Sequence, residues 1–470
     1  MSRAKNRFLA GILTASFLAV ATPALAQDTA TLPQQEQNIT LVQAADTVMP
    51  EVDVESMREW RHDFHKHPEL AYEEFRTAEK INDLLQSWGI ETHTNIGVTG
   101  VIGVLKSDDA DENSPSICLR ADIDALPITE ANQDLPHASV YDGVMHACGH
   151  DGHTAMLLGA AKHLSETKNF TGTVYFIFQP AEEGGAGAQA MIDDGLFDIV
   201  DCKSIYGLHA WPYLEAGQVG LSEGYITANS DRFTVKITGK GGHAAYPANN
   251  IDIVAMAAEL ITALHAHRDT ATADGEDAVL AVTKIQGGEA LNAMPETLEL
   301  GGSVRTFGEE MRSTLEKGIN DLAQELAEKY GATVEVSYNR GYPSVYNSAE
   351  QTQNLREIAN ALFGEENVKP FTQTMGAEDF SYYTQHIPGA FLALGQWDGE
   401  SERHPLHSPH FDFNDDVLKY GASLWVNLIE AQMPAIAPSV EPPVKPEAES
   451  GAETESEPAV KKTNGAAPSP

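Results

Sequence analysis

His146-Ala147-Cys148-Gly149-His150-Asp151-Gly152-His153-Thr154 runs into a helix-like apolar stretch ending near Glu166, and then into the strand-like run Thr173–Phe178. The reading of the fold turns on this passage. After the strand comes a second polar loop, Gln179-Pro180-Ala181-Glu182-Glu183-Gly184-Gly185. Loop, helix, strand and loop in that order are the repeating unit of a largely parallel sheet with covering helices. The first loop carries three imidazoles, a thiol and a carboxylate, with Gly149 and Gly152 letting it turn tightly. Cys148 and His150 stand two apart, so one loop can aim both at a single ion. A thiolate, imidazoles and carboxylates together suit a borderline metal such as zinc better than calcium or magnesium. The plainer alternative is a polar loop around a buried structural cysteine. Further ligands elsewhere in the chain decide between the two.

Outward from this passage the same alternation recurs. Met57, Trp60 and Phe64 fall at helical spacing before Pro68, and a second amphipathic helix spans Phe75 to Trp88 with Gly89 as its stop. Gly100–Leu105, Ile117–Ala121 and Ser204–Leu208 read as further strands. Asp122 and Asp124 follow one strand, Glu182 and Glu183 another, and His209 a third. Ligands of open α/β sheets gather outside the carboxyl ends of strands, so three strand ends point chemistry at one crevice.

The pattern changes near Ala228. Strand Phe233–Thr238, helix Ile251–His267, strands Val279–Ile285 and Leu298–Thr306, helix Glu309–Tyr330 and strand Thr333–Tyr338 follow the β-α-β-β-α-β order of a ferredoxin-like unit. The expected class is therefore α/β: a mostly parallel-sheet catalytic domain, 50–227 and 343–432, with an inserted α+β lid or dimerisation domain at 228–342. Helix Ala349–Phe363, strand Ala390–Leu394 and helix Asn414–Glu430 complete the first domain.

The two ends read differently. Arg3, Lys5 and Arg7, the apolar run Phe8–Val20 and Ala24-Leu25-Ala26 have the form of a signal peptide over 1–26. The run is short for a membrane span of about 20 residues, so an exported protein, periplasmic or secreted and without stable membrane association, is expected. Residues 433–470 are rich in Pro, Ala, Glu and Ser and read as a disordered tail. A formal charge of −39 disfavours nucleic acid and anionic membranes as partners. Three cysteines are too few for a disulfide scaffold. Cys118 lies in an apolar strand, so it is expected not to pair with Cys202.

Glu182 and Glu183 are neighbours at a strand end and cannot both face the same way. One can bind metal while the other reaches a water, the division of labour that metal-assisted hydrolysis requires. His209 and His407 add two candidate imidazoles. His62, His65 and His67 do not share one helix face, which favours surface or supporting roles over metal binding.

From about Met57 to Glu430 the chain resembles the M20 metallopeptidases, in their amidohydrolase branch of hippurate, N-acyl-amino-acid and indole-acetyl-amino-acid hydrolases. The resemblance rests on His67–Leu70, Arg120–Pro127, Met145–Ala155, Phe178–Ala188, Gly207–Pro212, Gly241–Pro247, Met375–Phe380 and Leu406–Phe413. It implies two divalent ions (Zn, Mn, Co or Ni) on Cys148, His150, Glu183, His209 and His407, with Cys148 as the bridging candidate. Glu182 would be the general base, Asp122 a group orienting the site, and His146, Asp151 and His153 supports. His243 would reach the scissile carbonyl oxygen, often from a partner in a homodimer built through the lid. Asn292 and Arg305 would hold the substrate carboxylate. The implied reaction is hydrolysis of an N-acylated amino acid. A dipeptidase or carboxypeptidase shares its chemistry, and an inactive exported metal-binding protein is the alternative from another class. An intact Glu182 argues against the last.

Overall fold

The computed structural model describes residues 49–436. The expected signal peptide, 1–26, and residues 437–470 of the expected tail lie outside them. Helices α1 (Val54–Lys66) and α2 (Phe75–Ser87) lead into strands β1 (Glu91–Ile96), β2 (Gly100–Lys106) and β3 (Ser116–Asp122). Then come α3 (His150–Thr167), β4 (Thr173–Gln179) and β5 (Ser204–Glu215). A second group follows: β6 (Asp231–Thr238), α4 (Ile253–Ala271), β7 (Ala278–Gly287), β8 (Thr297–Thr306), α5 (Gly308–Tyr330) and β9 (Thr333–Asn339). The chain closes with α6 (Ala349–Phe363), β10 (Gly389–Trp397) and α7 (Leu418–Gln432).

One sheet has eight strands, in the order β1-β2-β4-β3-β5-β10 followed by the short strands Val219–Gly220 and Val368–Lys369. Its centre, β4-β3-β5-β10, is parallel throughout. On the β1 side β1, β2 and β4 pair antiparallel. β3 is buried along its whole length, as a strand covered on both faces must be. Its side chains divide accordingly. Ile117, Leu119 and Ala121 join a core with α1, α2, α3 and α7, while Cys118 turns to the opposite face against Met191, Phe380 and Tyr383.

That opposite face carries a correction. Cys118 and Cys202 form a disulfide, with their Cα atoms 5.7 Å apart. β3 and β5 are adjacent parallel strands with Cys118 opposite Ile205, so the residues just before β5 lie within bridging distance of β3. An apolar run did not exclude pairing, because the neighbouring strand supplied the partner. The tail boundary moves as well: Met433 is fully buried, and Pro434 bridges Phe170.

The second sheet runs β7-β8-β6-β9 and is antiparallel throughout, the strand order of a ferredoxin-like unit. Burial along β6 alternates strictly, because α4 and α5 cover only one of its faces. The segments entering and leaving this sheet are tied together. Ser230 N–H donates to Tyr342 O at 2.9 Å, and buried Asp231 accepts from Arg312, Tyr338 Oη and Gly341 N. No helix among the described residues is long and apolar enough to cross a membrane.

Candidate metal centre

The opening loop becomes helix earlier than its sequence indicates. α3 starts at His150, so His150 and His153 lie in its first turn. Gly149 precedes it at φ 100°, a conformation that favours glycine. Gly152 has a different reason to be glycine: a Cβ there would lie 2.3 Å from the Phe413 ring. β5 is longer than expected and runs on to Glu215, so His209 lies within the strand and not after it. It still faces the crevice, since β3 pairs with β5 only as far as Gly207 and leaves the next residues uncovered. Two side-chain-bearing residues hold left-handed backbone beside the site, Ala181 at φ 54° and His407 at φ 65°. Strain of this kind persists only where surrounding contacts enforce it. His407 is held by its N–H, which donates to Ala147 O at 2.8 Å.

The five residues expected to bind metal converge. Cys148 Sγ lies 3.2 Å from His209 Nε2, and His407 Nε2 lies 3.1 Å from Glu183 Oε1. Cys148, His150 and His209 bring one ligand atom each within 4.8 Å of one another; Cys148, Glu183 and His407 do the same. Cys148 belongs to both triads. The ring orientations fit a metal. His209 Nδ1–H donates to Ala210 O at 2.7 Å, leaving Nε2 to face the thiol. His150 Nδ1 lies 2.9 Å from Asp124 O, while its buried Nε2 has no hydrogen-bond partner among the described residues. A ring anchored through one nitrogen with the other bare is the usual posture of a ligating histidine.

Charge points the same way. Burial opposes a cation on His150, yet Asp122 and Asp124 push its pKa up to about 10. These surroundings favour positive charge at Nε2. Burial pushes the Cys148 thiol well above its usual range, and Glu183 and Glu182 push it further. A bound cation would reverse that by favouring the thiolate. Glu183 stays below the usual carboxylate value despite its burial, because His407 and His150 stand beside it. Glu182 is pushed well above that value by burial and then by Glu378, Glu183 and Asp379.

Support around these groups is dense. Asp122 Oδ1 accepts from His153 Nδ1 at 2.7 Å, and His153 Nε2 accepts from Ala210 N–H at 2.8 Å. His153 therefore has no free nitrogen, although its position beside Asp122 and His150 resembles a ligand's. Asp124 Oδ2 accepts from Glu183 N–H at 3.0 Å, so one carboxylate orients two candidate ligands. Fully buried Arg120 donates to Gln179, Asp122, Glu378 and Asp379 at 2.7–3.0 Å. His146 is buried with neither nitrogen bonded, and burial lowers its pKa to about 4. His62, His65 and His67 bond to Asp415, to Asp151 and Glu130, and to Asp63 O. Arg120, Glu378 and Asp379 went without a role in the sequence, and Asp124 was given only a place at a strand end. An arginine inside a buried strand was the available signal, since it demands carboxylate partners.

A cavity of about 660 Å³ opens over Glu182, with Cys148, Glu183, His209, His407 and Arg305 in its lining. His243 and Asn292 do not line it. Both are exposed, and they lie side by side where Ala244 N–H donates to Asn292 O at 3.0 Å.

A thiol, imidazoles and carboxylates gathered at a cavity beyond the ends of parallel strands form the kind of centre that hydrolyses bonds with metal assistance. Comparison with known proteins agrees. The family described as Peptidase family M20/M25/M40 matches residues 118–431. The chain is 39% identical over 376 residues to N-acetylcysteine deacetylase of Bacillus subtilis, covering 79% of this chain and 96% of the relative. It is 38% identical over 377 residues to IAA-amino acid hydrolase ILR1-like 4 of Arabidopsis thaliana, covering 78% and 83%. A solved Bacillus subtilis structure, described as a dinuclear metal binding peptidase from the M20 family, superposes with a TM-score of 0.70 at 34% identity, covering 80% of this chain and 97% of that one. The chain belongs to peptidase family M20/M25/M40, in its amidohydrolase branch, and is a hydrolase acting on amides.

Proposed function

We propose that this chain hydrolyses the amide bond of N-acylated amino acids. The observation that carries the reading is the pair of ligand triads sharing Cys148, which lines the same cavity as Glu182. Cys148, His150, Glu183, His209 and His407 would hold two divalent ions. Such ions supply Lewis-acid polarisation of the carbonyl and acidify water. Glu182 takes the proton of the attacking water and returns it to the departing amine nitrogen. Its burial, and then the negative charge of Glu378, Glu183 and Asp379, favour the proton-carrying form that the second step needs. Asp124 keeps His150 in one tautomer and the Ala210 carbonyl does the same for His209, while Asp122 holds His153 beside them. Arg305, which lines the same cavity, takes the substrate carboxylate.

The segment 228–342 serves as lid and as the contact of a homodimer. Exposed Tyr246, Ile285 and Leu291 on that segment support the reading, as does the exposure of His243 and Asn292 outside the cavity. Export to an oxidising compartment is supported by the basic and apolar leader and by the Cys118–Cys202 bridge.

Glu182→Gln tests the base. Metal content should equal that of the wild type, and kcat on N-acetyl-amino acids or hippurate should fall at least ~100-fold. Near-normal turnover would remove Glu182 from the mechanism.

A further inference from the structure

Arg232 on β6 and Arg305 on β8 line the same cavity as Glu182 and His407. Neither guanidinium makes a hydrogen bond or ion pair with any described residue. That is unusual in a chain with 69 acidic and 30 basic side chains. The third arginine of the lining, Arg340, is already engaged by Glu309, Glu316 and Ser313. Asp231 is no partner for its neighbour either. Strand alternation turns it to the buried face, where Arg312, Tyr338 and Gly341 N use it.

The register puts the free arginines together. Arg232 is opposite Ser303, and Arg305 is two residues further along the same face of β8. This is the diagonal relation across two strands, within reach of long side chains. Half-burial lowers the Arg305 pKa, and the positive charge of Arg232 lowers it further against a smaller opposing pull from Asp231. The two cations repel each other and would be relieved by two negative charges. A single α-carboxylate needs only one bidentate guanidinium.

We propose that Arg232 and Arg305 together select N-acyl amino acids with a second carboxylate, the N-acyl-aspartates and N-acyl-glutamates. Arg305 takes the α-carboxylate, and Arg232 takes the side-chain carboxylate. This rests on the N-acyl-amino-acid reading above and names the substrate class within it. Arg232 is a specificity residue and takes no part in bond breaking.

The test compares N-acetyl-L-glutamate with N-acetyl-L-glutamine, nearly isosteric ligands that differ by one charge. Calorimetric binding to metal-free protein should favour the glutamate by at least about tenfold at physiological salt. In Arg232→Gln that preference should fall to near unity. With metal restored, the kcat/KM ratio of the two compounds should change in the same way. Equal binding of the two by the wild type, a preference that survives Arg232→Gln, or binding of neither would overturn the proposal. Failure to cleave either compound while the binding preference holds would instead overturn the reaction assigned above.

Discussion

His150 and His153 lie in the same turn of α3, yet their second nitrogens separate them. His150 Nε2 is bare, whereas both nitrogens of His153 are bonded. Spacing could nominate either ring; only the fold, by bringing Asp122 and Ala210 to His153, tells them apart. His65 shows the same limit. Its sequence position suggested a supporting role, but the identity of its partners was set by distant loops. Buried His65 lies 2.9 Å from Asp151 Oδ2 and 3.2 Å from Glu130 Oε1. Burial opposes its charge, but the two carboxylates win and raise its pKa from 6.5 to about 9. Because the folded value is the higher, this stabilisation is complete below about pH 6.5 and is lost as pH rises through about 9. A shift of that size corresponds to a few kcal/mol, on the order of 3. The urea midpoint of the wild type should therefore fall between about pH 6.5 and pH 9.5, and His65→Gln should lose most of that dependence. Equal falls in the two proteins would show that other groups cause it.

At the scale of elements, hydrophobic period and strand ends placed nearly all the chemistry, because a parallel strand buried on both faces writes itself as an unbroken apolar run. What the pattern could not show was where pairing stops. β5 continues past His209 because β10 remains beside it after β3 has ended, a fact about neighbours and not about β5. The disulfide escaped for the same reason. Tyr342 was missed too, since a tyrosine after a strand carries no local signal. Its hydroxyl donates to Glu182 O at 2.7 Å and accepts from Ala186 N–H at 2.9 Å, at the point where the chain leaves the second sheet. It thus joins the root of the proposed lid to the loop carrying the base. Tyr342→Phe removes both bonds from a turn already strained at Ala181. The expected result is a kcat reduced about 10- to 100-fold with KM little changed, since small displacements of a catalytic group are costly. Metal content, measured by plasma emission, should not move. A loss of metal parallel to the loss of kcat would assign Tyr342 to ligand positioning instead.

At the scale of the molecule, the cavity is lined by Cys148, Glu183, His209 and His407, by the base Glu182 and by three arginines, but not by His243 or Asn292. His243 lies in a short ribbon made by Gly242–His243 and Ala293–Met294, and Asn292 directly precedes its second strand. If they serve a partner's cavity, the protein is an isologous dimer in which each site borrows from the other copy. Mixing two impaired variants tests this. In a heterodimer of Glu182→Gln with His243→Ala, the site that keeps Glu182 belongs to the chain lacking His243. It recovers that histidine only if the partner supplies it. Statistical exchange makes half the dimers mixed and one site in each of them competent, so about a quarter of wild-type activity should return on mixing. A histidine acting within its own chain leaves every site of the mixture with a defect, and activity then stays at the average of the two variants. Light scattering on the same samples separates the outcomes: a dimer that shows no recovery assigns His243 to its own chain, and a monomer removes the partner from the reaction altogether.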